Sequence, residues 1–464
     1  MRLSSLRLCV FLLLLGNAAA PGQTTDSART AQYRQAIGVI TQEGLRHCDA
    51  FRYLTDLTQN IGARLSGSPQ AARAVEWGKA LMTRLGFQNV HLEPVMVPHW
   101  VRGDVEQASI LSPEAGRQKL SVCALGGSIG TQESGVSGEL FRVTSFEELR
   151  KAGDRAKGKI IFFDRPFDRT KINTFEAYGG AVDQRGSGAV EAAKAGGIAA
   201  LVRSMTSRRD DVPHTGAMHY ADSVVKVPAA AVSTIGADYL DSLLDAGVSV
   251  RIRLRLSCQT LPDAPSANVV GDLTGSEHPE EVIVVGGHLD SWDKGQGAHD
   301  DGAGVAGTLE ALHLLNETGL APKRTIRAVL FINEENGLAG GVAYAKVDRP
   351  GEKHIAAIET DEGGFSPKGF GIETDSARFG AIARWAPLFR PIGASEFNRG
   401  GGGADISPMG RLGIPMLGLN VDNQRYFDYH HSDNDTIDKV NERELELGAI
   451  ALASIAYILS QEGL

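Results

Sequence analysis

The chain has 464 residues, too many for one ordinary core, and its 42% hydrophobic and 22% charged content is that of a folded chain of two or three domains. A formal charge of −9, from 47 basic and 56 acidic residues, excludes a general nucleic-acid binder. No run of 18 apolar residues occurs, so no transmembrane helix is expected.

Residues 1–20 read as a secretory signal peptide: Arg2 and Arg7 precede an apolar run over 9–15, and Gly16-Asn17-Ala18-Ala19-Ala20 supplies small residues for cleavage. The expectation is an exported protein, periplasmic or secreted, with no membrane association once the leader is removed. Removing it leaves Cys48, Cys123 and Cys258, so at most one disulfide can form within the chain, with Cys123 and Cys258 the candidate pair. Residues 21–30 are small and polar and are expected to be disordered. Ile37, Ile40, Leu45, Phe51 and Leu54 then recur at helical spacing. A turn at 62–69 leads to a second amphipathic helix through Trp77, Leu81 and Leu85, and residues 89–101 read as a strand.

The character changes over 123–262, where short β-rich runs such as Lys159-Ile160-Ile161-Phe162-Phe163 flank an Ala/Gly-rich helix near 189–195. This segment has no His, Asp and Glu cluster with ligand-like spacing and reads as an inserted accessory domain. After Pro265 strands alternate with helices. Apolar strands are expected at 282–285, 327–332, 354–358 and 415–419, with helices at 304–315 and 442–459. The expected fold class is therefore α/β, with a mixed, mostly parallel sheet covered by helices on both faces.

Polar clusters follow these strands, where open α/β sheets place their sites. They are Gly287-His288-Leu289-Asp290-Ser291-Trp292, Gly297-Ala298-His299-Asp300-Asp301-Gly302, Asn333-Glu334-Glu335-Asn336, Glu359-Thr360-Asp361-Glu362 and Tyr429-His430-His431-Ser432-Asp433. Singly, each fits a capped helix or a solvated loop. Jointly they bring two imidazoles and at least three carboxylates to one sheet edge, with no cysteine, which suits catalytic zinc. If one carboxylate bridges, the set is enough for two metals, and a spare glutamate beside a ligand glutamate supplies a general base. The residues themselves read as a two-metal hydrolase.

The motif order, and the string His288-Leu289-Asp290-Ser291-Trp292-Asp293 above all, resembles the two-zinc exopeptidases of clan MH, on their carboxypeptidase Q-like and secreted bacterial aminopeptidase branch. The resemblance implies two Zn²⁺ per chain and a peptide substrate cut at a terminal bond, with dipeptides or short peptides favoured. It implies that His288 and Asp361 bind one zinc and Glu335 and His431 the other. Asp300, joined to Asp301 by a cis peptide, would bridge them, Asp290 would hold the His288 ring, and Glu334 would be the base. His431 is preferred to His430 because the family ligand precedes Ser or Thr. The segment 123–262 resembles a protease-associated domain, which leaves 21–122 and 263–464 as the catalytic domain. Residues 400–405 resemble a glycine-rich loop near the substrate pocket, and relatives suggest a homodimer. A single-zinc glutaminyl cyclase and a non-catalytic receptor-like binding protein are the competing readings on this fold.

Two other motifs lack their context. Gly302-Ala303-Gly304-Val305-Ala306-Gly307 matches a dinucleotide fingerprint but stands too far from its strand. Gly126-Gly127-Ser128-Ile129-Gly130 matches a nucleophile elbow but opens no helix.

Overall fold

The computed structural model describes residues 21–112 and 118–464, so the leader expected at 1–20 lies outside the described residues. Two eight-stranded sheets organise the chain. The first runs in the order Gln88–Val101, Gln259–Leu273, Arg324–Phe331, His278–His288, Lys353–Glu359, Met416–Val421, Pro367–Glu373, Glu396–Arg399. Its centre is parallel: His278–His288 pairs with Arg324–Phe331 on one side and Lys353–Glu359 on the other, and Lys353–Glu359 pairs with Met416–Val421. Antiparallel partners flank that centre, so the sheet is mixed.

Both faces of this sheet are buried, which is why its central strands are apolar without alternation. Ile283 and Val285 enter a large core with Leu309, Leu312, Ile455 and Ile458. Val282 and Val284 enter a second one with Val329, Tyr344 and Met409. The helix Glu442–Glu462 is long and apolar enough to cross a bilayer by length and composition, but it is largely buried in the first of these cores. Register levels the parallel strands at their carboxyl ends, with His288 opposite Phe331 and Gly286 opposite Glu359. The loops bearing the polar clusters therefore leave from one edge.

The second sheet runs Lys119–Leu120, Glu106–Ile110, Arg251–Leu256, Val136–Val143, Ile160–Phe163, Ala199–Arg203, Ala229–Val232, Val122–Ala124. Ile160 and Phe162 point into one core, Ile161 and Phe163 into another. This sheet reaches back to Glu106, ahead of residue 123, and the strand Gln259–Leu273 that spans residue 262 pairs within the first sheet.

Three local expectations change. Residues 21–30 belong to the helix Pro21–His47; Tyr33, Ile37 and Ile40 bury its inner face, while Arg29 and Tyr33 both bond Glu462 of the last helix. Pro367–Glu373 and Glu396–Arg399 are additional strands. Cys48, Cys123 and Cys258 are all free thiols.

Candidate active site

His288 is the last residue of its strand, and Glu334 and Glu335 follow the end of Arg324–Phe331. Asp361 lies two residues beyond Lys353–Glu359, and His431 follows the short helix Tyr426–Tyr429. Asp300 and Asp301, joined by a cis peptide, lead into the helix Ala303–Glu317. The structure brings all seven expected site residues to one place.

Asp300 is at the centre. Its Oδ1 lies 3.3 Å from His288 Nε2, and its Oδ2 lies 3.3 Å from His431 Nε2. His288 Nε2 is also 3.5 Å from Asp361 Oδ1, and His431 Nε2 is 3.1 Å from Glu335 Oε2. His288 Nε2 and Asp300 Oδ2 are buried without a hydrogen-bond partner. Ligand atoms of His288, Asp300 and Glu335 lie within 4.8 Å of one another, as do those of His288, Asp301 and Asp361, and those of Asp300, His430 and His431. Buried, convergent imidazole and carboxylate atoms left unpaired fit a cation, since burying them unpaired is otherwise costly. His430 is the less convergent of the two histidines: its Nε2 is 3.9 Å from Asp300 Oδ2, and its ring stacks on His431 at 3.4 Å.

The electrostatics follow from burial of like charges. Burial pushes the Asp300 carboxyl up, but its His288 contact and the neighbouring imidazoles hold it below the ordinary value. Burial, with the Asp361 and Asp300 carboxylates added, pushes Glu334 up to about 8 despite the opposing pull of His288. Burial lowers His431.

The supporting contacts correct one expectation. The Asp290 carboxylate does not hold the His288 ring, because its Oδ1 is 3.9 Å from His288 Nδ1; the Asp290 backbone carbonyl, at 3.0 Å, takes that place. The carboxylate instead accepts from Asn333 N at 2.7 Å, Glu334 N at 3.1 Å and Ser66 Oγ at 2.9 Å, and so fixes the backbone of Glu334. Asp301 accepts from His288 N and Gly304 N, both at 3.0 Å, and Glu335 Oε1 accepts from Trp292 N at 2.9 Å. Asp435 accepts from His299 N and Asp300 N.

Sequence reasoning missed Arg64. It is fully buried and donates to the carbonyls of Leu289, Gln296 and Gly297, tying the His288 loop to the Asp300 loop. Its only sequence signal is its place in the 62–69 turn.

A cavity of about 340 Å³ opens over the cluster. Asp300, Glu334, Asp361 and His431 form one wall, and Phe175, Tyr178, Arg185 and His219, from the chain of the second sheet, line it too. Among the described residues Arg185 is the one Arg or Lys lining it; its Nη1 is 3.3 Å from His431 Nδ1, and its Nε is buried without a partner. A larger hollow of about 440 Å³ beside Arg150 and Lys194 gathers no comparable set of ligands. Residues 400–405 do not line the cavity, and a Cβ on Gly403 would collide with the Glu359 carboxylate. Ser128 is no nucleophile: it is buried, accepting from Ala229 N and donating to Ile129 O. Gly304 lets its helix approach closely, since a Cβ there would collide with the Thr360 carbonyl.

Residues 268–456 match the sequence profile of Peptidase family M28. The chain is 37% identical over 437 residues to carboxypeptidase Q of Bos taurus, covering 94% of this chain and 90% of that protein. It is 36% identical over 436 residues to carboxypeptidase Q of Homo sapiens, with the same two coverages. Among solved structures, a peptidase M28 precursor from Shewanella amazonensis SB2B superposes with a TM-score of 0.90 at 35% identity, covering 94% of this chain and 98% of the other. A zinc aminopeptidase from Bacillus subtilis shares the fold, with a TM-score of 0.64 at 19% identity over 88% of this chain and 94% of its own. The chain belongs to peptidase family M28 and is a zinc-dependent metallo-exopeptidase.

Proposed function

We propose that this exopeptidase cuts the terminal bond of dipeptides or short peptides. In this reading His288 and Asp361 would hold one zinc and Glu335 and His431 the other, with Asp300 shared between them. The observation that carries it is the place of Asp300, with one carboxylate oxygen toward each imidazole. When bound, zinc supplies Lewis acidity, which acidifies water and polarises a carbonyl. Glu334, on the cavity wall, takes the proton of the attacking water as the carbonyl carbon gains its new C–O bond. As the C–N bond breaks, Glu334 returns that proton to the leaving amine. Asp290 keeps the base in place through its bond to Glu334 N.

Cavity size and charge support the substrate class. About 340 Å³ is at the small end of the roughly 300–1,000 Å³ typical of ligand pockets. Arg185 supplies a cation for a free C-terminal carboxylate. We infer further that the 123–262 segment is an inserted protease-associated-like domain that supplies this wall, that residues 1–20 direct export to the periplasm or medium, and that the enzyme forms a homodimer.

The test is digestion of free, N-acetylated and C-amidated peptides by the zinc-loaded enzyme. Loss of cleavage on amidation is expected. Cleavage of amidated but not acetylated peptides would overturn the carboxylate assignment and make the enzyme an aminopeptidase.

A further inference from the structure

His431 adopts φ +60°, a left-handed backbone that a residue with a Cβ disfavours unless its surroundings hold it there. The surroundings come from the second sheet. His214 Nδ1 lies 2.7 Å from the carbonyl oxygen of His430, and Thr215 N donates to the carbonyl of His431 at 2.8 Å. A carbonyl only accepts, so His214 carries its proton on Nδ1. The first carbonyl belongs to the peptide plane before the His431 Cα and the second to the plane after it. Fixing both planes fixes φ and ψ of His431, and with them the direction of its Cα–Cβ bond toward Asp300 and Glu335.

The other end of the pair is anchored. His214 N donates to Ser204 Oγ at 2.9 Å, and Ser204 Oγ donates to Val232 O at 2.8 Å. Thr215 Oγ1 donates to Ala124 O at 2.9 Å. Val232 and Ala124 are residues of neighbouring strands of the second sheet. His214 is buried, and burial lowers it to about 4, so it stays neutral at ordinary pH.

We propose that His214 and Thr215 are positioning residues for the metal position served by His431, a strut by which the second sheet sets the geometry of a ligand carried by the first. The proposal rests on the reading of His431 as a ligand. It gives the accessory segment a part in building the metal centre as well as in walling the cavity.

The experiment is a chelator titration that follows zinc per chain on the full-length protein, with folding checked by circular dichroism. His214→Leu keeps the bulk and removes the donor. One of the two zincs is expected to weaken about tenfold or more, the range seen when a partner behind a ligand is lost, while the other is unchanged. His214→Asn, which returns an amide N–H near the former Nδ1, is expected to restore it. A merely structural role would leave both affinities alone or weaken both equally; either result in folded His214→Leu overturns the proposal. If that variant does not fold, Thr215→Val carries the test. It cuts the tie to Ala124, along with the bond that Thr215 Oγ1 accepts from Arg102 Nη2 at 3.2 Å, and is expected to weaken the same zinc a few fold, and wild-type affinity there overturns the proposal. His431→Ala separates the two failures. If it keeps two zincs, the ligand reading fails. If it drops to one while His214→Leu holds both as wild type does, the strut alone fails.

Discussion

Glu334 and Glu335 are adjacent and chemically alike, yet the fold places them differently. Glu335 is buried, with one oxygen 3.1 Å from His431 Nε2 and the other on Trp292 N. Glu334 is half-buried and lines the cavity. Under the proposed mechanism Glu334→Gln keeps the shape and removes the proton carrier, so it is expected to retain two zincs while turnover falls about 10²–10⁴-fold. Turnover near wild type in steady-state assays contradicts the assignment. The residue types of the cluster were legible because each follows a strand whose apolar run is unmistakable. What their spacing could not show is which atom does the work, as with the carbonyl and carboxylate of Asp290. Arg64, Arg185 and His214 were silent for a related reason: a lone Arg or His reads as surface until the fold buries it.

The central strands and the helices Ala303–Glu317 and Glu442–Glu462 were legible because long apolar runs mark elements covered on both sides. Pro367–Glu373 was not, since Pro, Lys and two Gly among its seven residues leave little apolar pattern. Glu396–Arg399 is a four-residue edge strand whose one inward side chain, Phe397, is too little to show a period. The helix Ala303–Glu317 carries a further consequence. Glu310 on it is fully buried, with neither carboxylate oxygen hydrogen-bonded, and burial pushes it from 4.5 up to about 8. Because the folded chain holds this proton more tightly than the unfolded one, its stability is undiminished below about pH 4.5 and falls as pH rises toward 8. Glu310→Gln should remove that loss. The variant's stability advantage in urea unfolding is expected to grow by roughly a few kcal/mol between pH 5 and pH 8. An advantage independent of pH would show that Glu310 ionises normally.

At the scale of the molecule, the two sheets meet at the site. Trp292, in the loop after His288, is buried in a core of the second sheet beside Trp100, and a Cβ on Gly126 would collide with its ring. Such contacts between distant segments depend on the folded arrangement, so the sequence divides the chain into segments without showing how closely they cooperate. The central claim is a pair of zincs sharing Asp300. Metal analysis of the purified wild type and of Asp300→Ala tests it most directly. Two zincs per wild-type chain, falling below one in the folded variant, is the predicted result. One zinc in the wild type, or two retained without Asp300, would contradict the account.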